Sequence, residues 1–157
     1  VSKLPTSGQI RVPRRGIIAL TLLIQYNRQQ TKQLEGVPDE MKPSMYNPPT
    51  TGYLFSERDE RGALNEYLEE HPGLGSPLKW PNQIKRIRDE LVVAGLIKLT
   101  GTSSRTLLPT KAGVDFVNEI IRRYGEDPIN WPVIVPVEDG VPDWVAAEEK
   151  QSEEYTD

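Results

Sequence analysis

The chain has 157 residues, no cysteine and one histidine, so disulfides, cysteine-based zinc or iron–sulfur sites, thiol nucleophiles and a two-histidine metal site within one chain are all excluded. Its length fits one domain, and 14 Pro plus 12 Gly foretell long irregular stretches rather than a fibrous protein. Residues 126–157 carry ten acids against the single base Lys150, net −9, which leaves residues 1–125 at net +5. A basic body joined to an acidic tail suits either a handler of nucleic acid or a domain with a solubilising extension.

Residues 1–12 are polar and basic, with Pro5 and Gly8, and read as a flexible basic arm. Pro13 suits the start of a helix. Residues 14–30 continue as good helix formers whose apolar positions, Ile17, Ile18, Leu20, Leu22 and Ile24, cover more than one face. That distribution predicts a buried helix or one packed in a homodimer, through the first and last helices. Residues 31–53, with Gly36, Pro38, Pro43, Pro48, Pro49 and Gly52, predict a long loop. Helical spacing resumes over 57–70, with Leu64, Tyr67 and Leu68 on one side, and stops at His71-Pro72-Gly73, which makes His71 a helix-end residue.

Trp80-Pro81-Asn82 opens the next helix, with Asn82 as the expected N-cap. Ile84, Ile87, Leu91 and Ala94 recur at helical spacing, and Gly95 is the expected C′ residue. Leu96–Thr100 and Arg105–Leu108 predict a hairpin around Gly101-Thr102-Ser103-Ser104. Pro109-Thr110 then opens a helix to Tyr124, closed by Gly125. The expected fold is mainly α with a small β-hairpin: three helices, a two-stranded wing and a further helix, which is the winged helix-turn-helix order. In chain order that makes an arm over 1–12, a winged-helix domain over 13–125 and an acidic Pro/Trp-containing tail over 126–157.

The run Ile84–Lys98, with its Leu91-x-x-x-Gly95-Leu96-Ile97 step, and Arg105–Gly113, with its Thr110-x-x-Gly113 step, resemble the signature of prokaryotic winged-helix regulators of the MarR and PadR types. The resemblance covers roughly residues 57–124 and implies a non-catalytic DNA-binding protein, a transcriptional regulator or a component of a nucleoprotein complex. The 31–53 loop and the acidic tail depart from that signature.

On an 82–94 recognition helix, Asn82, Lys85, Arg86, Asp89 and Val93 lie opposite the buried Ile84, Ile87 and Leu91. Asn and Arg suit base edges, and Lys85 and Arg86 suit phosphates. The competing reading is a solvated face with Lys85–Asp89 and Arg86–Glu90 pairs. Ser103, Ser104 and Arg105 at the wing tip make either a groove and phosphate contact or an ordinary polar turn. Lys98 and Lys111 extend a basic stripe beside the wing. Arg11, Arg14 and Arg15 gather at the start of the first helix, the unfavourable end of its dipole for cations, and there either attract an external anion or are merely solvated.

No phosphate-binding glycine loop, nucleotide fingerprint or metal-ligand spacing is present, so no enzyme, metal or cofactor is expected. The expected partners are double-stranded DNA, a second copy of the chain and, through the acidic tail, a protein. The alternative is a protein-interaction or assembly module that docks partners through the 31–53 loop and the tail. Within the tail, Trp131 to Trp144 frame an extended segment that either packs back on the body or adds a strand to a partner's sheet; residues 146–157 are a short exposed helix or disordered. No apolar run is long enough for a membrane span or a secretory signal, so a cytoplasmic protein, nucleoid-associated or in a host cytoplasm, is expected.

Overall fold

The computed structural model describes residues 9–45, 49–55, 62–100, 106–138 and 140–148. It is mainly helical, with two small antiparallel sheets. Strand β1 (Gln9–Pro13) leads into α1 (Arg14–Gln33), a 20-residue helix around which the rest is arranged. Ile17, Ile18, Ala19, Leu20, Leu23 and Ile24 are all buried there, because α1 is covered by α3 (Thr51–Phe55), α4 (Ala63–Glu70), α5 (Pro81–Val93) and α6 (Lys111–Tyr124). The surplus apolar faces of α1 that raise the expectation of a dimer are thus used within the chain.

In its described residues the 31–53 segment holds short helices where a long loop is expected. α1 runs on to Gln33, a 3-10 turn spans Asp39–Met41, α2 spans Lys42–Met45, and α3 begins at Thr51. Pro38 is the extended N-cap of the 3-10 turn and Pro43 lies in the first turn of α2, so these two prolines sit at helix starts instead of preventing helices. Pro49 and Thr50 lie against β3 (Thr106–Pro109): the Leu107 N–H donates to the Pro49 carbonyl at 3.0 Å. The expected 57–70 helix begins at Ala63 in its described part, with Leu64 and Leu68 buried as the spacing requires. His71 ends it, Nδ1 2.8 Å from the Tyr67 carbonyl and its ring stacked on Tyr67.

Two clamps fix the link from α4 to α5. The Asn65 carboxamide accepts from the Leu78 N–H at 2.7 Å and donates to the Leu78 carbonyl at 2.9 Å. From α1, Arg15 Nη1 donates to the Ser76 carbonyl at 2.9 Å. The N-cap of α5 lies two residues earlier than expected. Pro81 occupies the first helical position, extended Trp80 is the N-cap, and the Gln83 side chain accepts from the Lys79 and Trp80 N–H groups at 3.0 and 3.2 Å. Asn82 is therefore not the cap but an exposed first-turn residue.

After α5, Gly95 takes φ +80° as the C′ residue and β2 (Ile97–Thr100) pairs antiparallel with β3. Thr110 joins this hairpin to α6. Its hydroxyl donates to the Gly95 carbonyl at 2.6 Å and accepts from the Gly113 N–H at 3.0 Å. Gly113 is required because a Cβ there would drive into the Leu96 carbonyl oxygen. The Thr-x-x-Gly step thus packs α6 directly on the backbone that leaves α5.

The two chain ends differ most from expectation. The described part of the expected arm forms β1, which pairs antiparallel with β4 (Ile134–Glu138) from the tail, in the register Gln9↔Glu138 to Pro13↔Ile134. Strand β5 (Val141–Pro142) completes a sheet of order β1-β4-β5. Val12, Val135 and Val137 are fully buried. Of the alternatives for the tail, packing back is what the structure contains. Trp131 is 2 % exposed, and its indole N–H donates to the Gly125 carbonyl at 2.8 Å. Residues 144–148 are helical and run beside α6: Trp144 stacks near Phe116, the Arg123 guanidinium lies 4.7 Å over the Trp144 ring, and Arg123 meets Glu148 at 3.3 Å.

Two substitutions test this packing. Gly113→Ala should cost about 3 kcal/mol or more, because helix and carbonyl must separate. Trp131→Ala should cost about 3–5 kcal/mol. Chemical denaturation measures both, and near-wild-type stability for either would contradict the contacts described.

Candidate nucleic-acid interface

The α5 surface is built by opposition. Ile87 and Leu91 are buried toward α1, while Asn82, Lys85, Arg86 and Val93 are exposed; Asp89 is half-buried. The wet face computed from the sequence is therefore largely the exposed one. Of the competing intrahelical pairs, Arg86 and Glu90 are 3.7 Å apart, whereas Asp89 pairs with its neighbour Arg88 at 3.2 Å. The Arg86 side chain remains 80 % exposed, so the pair only loosely restrains it.

Lys98 is exposed on β2. Lys111 is exposed at the start of α6, but its ammonium is held 3.0 Å from Asp115, which weakens its contribution to a basic stripe. Ser103, Ser104 and Arg105 lie outside the described residues. Trp80, expected only as part of the helix entry, is 66 % exposed beside Asn82.

Arg14 and Arg15 do not act together. Consecutive helical residues diverge by about 100°. Arg14 turns to the 128–130 segment, where Nη1 donates to the Ile129 carbonyl at 3.4 Å. Arg15 turns the other way, to Ser76 and to a cleft between β1 and α5. That cleft, of about 380 Å³, is lined by Arg11, Arg15 and Arg86, with Gln83, Glu90, Pro13, Ile87 and Ile134. The expected arginine cluster is thus regrouped: Arg14 leaves it and Arg86, from a distant part of the chain, joins it.

Burial pushes the Glu90 carboxyl above its ordinary pKa, and the adjacent Arg86 guanidinium pulls it partly back. Among the described residues no group of His, Asp and Glu is arranged to hold a metal ion. No helix among them is long and apolar enough to cross a membrane. Comparison with protein-family models, with curated proteins and with solved structures finds no match.

Because the folded-state pKa of Glu90 is raised, its protonated form favours folding. Its contribution to stability is greatest below the unfolded value near 4.5 and is lost as pH rises through the folded value. Glu90→Gln should therefore raise the melting temperature at pH 7 and leave it nearly unchanged at pH 4. An equal effect at both pH values would show that the carboxyl is not desolvated.

Proposed function

We propose that the chain is a non-catalytic DNA-binding protein of winged-helix type, a transcriptional regulator or nucleoprotein component. In this reading α5 lies in the major groove and the β2–β3 hairpin lies on flanking backbone. The observation that carries the reading is the α5 face itself. Asn82, Lys85 and Arg86 are exposed on a helix whose opposite side is buried, whose start is clamped through Asn65 and Arg15, and which is followed at once by a hairpin bearing exposed Lys98. Arg86 and Asn82 would read base edges, while Lys85 and Lys98 would neutralise phosphates. In a homodimer, two such helices about one duplex turn apart would favour a pseudo-palindromic site.

A second reading, a protein-docking scaffold, is favoured by the 31–53 segment. Met41 and Met45 are 50 % and 51 % exposed there, on short helices away from the core. Large exposed apolar side chains grouped on one segment suit a protein partner.

Duplex binding should fall steeply with salt. Arg86→Ala should cost about 1–3 kcal/mol on a selected site and less on random DNA, whereas Lys98→Ala should weaken both alike. Fluorescence anisotropy on both substrates measures this. Absence of binding at low ionic strength removes the DNA reading and leaves the docking one.

Removing residues 149–157 takes away four acids and one base and spares β4, Trp144 and Ala147. Non-specific affinity should rise at low salt, within the short reach of screened charge, while the melting temperature stays unchanged. Unchanged affinity with unchanged stability would show that these acids do not compete with phosphates.

A further inference from the structure

The β1–α5 cleft brings together three guanidiniums from three elements: Arg11 from β1, Arg15 from the first turn of α1 and Arg86 from α5. Against them stands one carboxylate, Glu90, already beside Arg86 at 3.7 Å. The cleft therefore carries a formal excess of two positive charges. Arg15 is fixed by its bond to Ser76, which still leaves most of its N–H groups to donate. The Gln83 carboxamide oxygen is committed to the Lys79 and Trp80 N–H groups, so its NH₂ is the end left to act as a donor. No acidic residue lies in the first turn of α1, the positive end of that helix. Pro13, Ile87 and Ile134 supply an apolar wall. At about 380 Å³ the space is larger than an inorganic phosphate needs and lies within the range of small-ligand sites.

We propose that this cleft binds a phosphomonoester, its dianionic head among Arg11, Arg15 and Arg86 and its apolar body against Pro13, Ile87 and Ile134. Two net charges match a dianion better than a carboxylate or a phosphodiester, each of which bears one. Guanidinium forks match phosphate oxygens in pairs. The cleft shares Arg86 with the α5 face assigned to duplex DNA, but its test needs no DNA and reads Arg11 and Arg15 as well.

An NMR titration of the full chain at low ionic strength tests the proposal, with phenyl phosphate, inorganic phosphate and the diester methyl phenyl phosphate as probes. Phenyl phosphate should give saturable shifts confined to amides around Arg11, Arg15 and Gln83–Ile87. Its affinity should exceed that of either other probe at least threefold. Arg11→Gln and Arg86→Gln should each weaken it about tenfold, and Glu90→Gln should tighten it about threefold. Lys32→Gln, which removes an exposed charge at the far end of α1, should leave it unchanged. Absence of saturable shifts overturns the proposal. So does equal weakening by Lys32→Gln and Arg11→Gln, which would mean diffuse charge attraction. Equal affinity for the diester also overturns it, and would assign the cleft to a nucleic-acid backbone.

Discussion

The pairing of β1 with β4 is the contact on which the rest of the molecule depends. It joins the two ends of the described chain through the register Gln9↔Glu138 to Pro13↔Ile134. It buries Val12 and Val135 opposite each other. The Arg14 N–H continues the ladder to the Val133 carbonyl at 2.8 Å, so α1 starts directly from the sheet. The direction of α1 is thereby set, and with it the side on which Arg15 reaches Ser76 and holds the α4–α5 link. The position of α5, and hence every exposed side chain on it, follows from a strand pair at the far ends of the sequence.

Much of the middle of the chain was legible because its signals are local. α5, the β2–β3 hairpin and α6 come from apolar residues at helical spacing, a C′ glycine at Gly95 and a capping threonine at Thr110, all acting within a few residues of themselves. The misplacement of Asn82 had a readable remedy. Pro81 favours the first helical position, which makes residue 80 the cap. The divergence of Arg14 and Arg15 was likewise implicit in the helical step. The sheet was not legible. β1 alternates over only four residues, Gln9 to Val12, before Pro13, and β4 is an unalternating apolar run broken by Pro136, so neither is long enough to declare itself without its partner. For the same reason the cleft of Arg11, Arg15 and Arg86 was half seen: two of its arginines are neighbours in sequence, and the third arrives only through the fold.

Charge and packing divide the tail into two functional kinds. Up to Glu148 the acidic segment is structural: Trp131 is buried, β4 lies in the sheet and the Trp144–Arg123–Glu148 contacts lie along α6. Of its acids, Glu148 is paired with Arg123, and Asp127 and Asp143 accept from the Ile129 and Ala146 N–H groups, so part of the tail's charge is tied to local structure. The same sheet that anchors the tail also contributes Ile134 and Arg11 to the cleft beside α5, so the structural strap and the basic surface share a strand pair.

The distance in sequence between the paired strands also imposes an order on synthesis. Gln9 leaves the ribosome long before Glu138, its partner. At roughly 5–20 residues per second, β1 and the first turn of α1 wait about 6–26 seconds without the strand that covers them. Through that interval Val12 has no Val135 to bury against, and Arg11 and Arg15 have no completed wall opposite. Pairings of such high contact order form late. The basic cleft is accordingly a property of the finished fold and is absent from the nascent chain. A ribosome-bound fragment ending before β4 would carry the α5 side chains without the geometry that groups them.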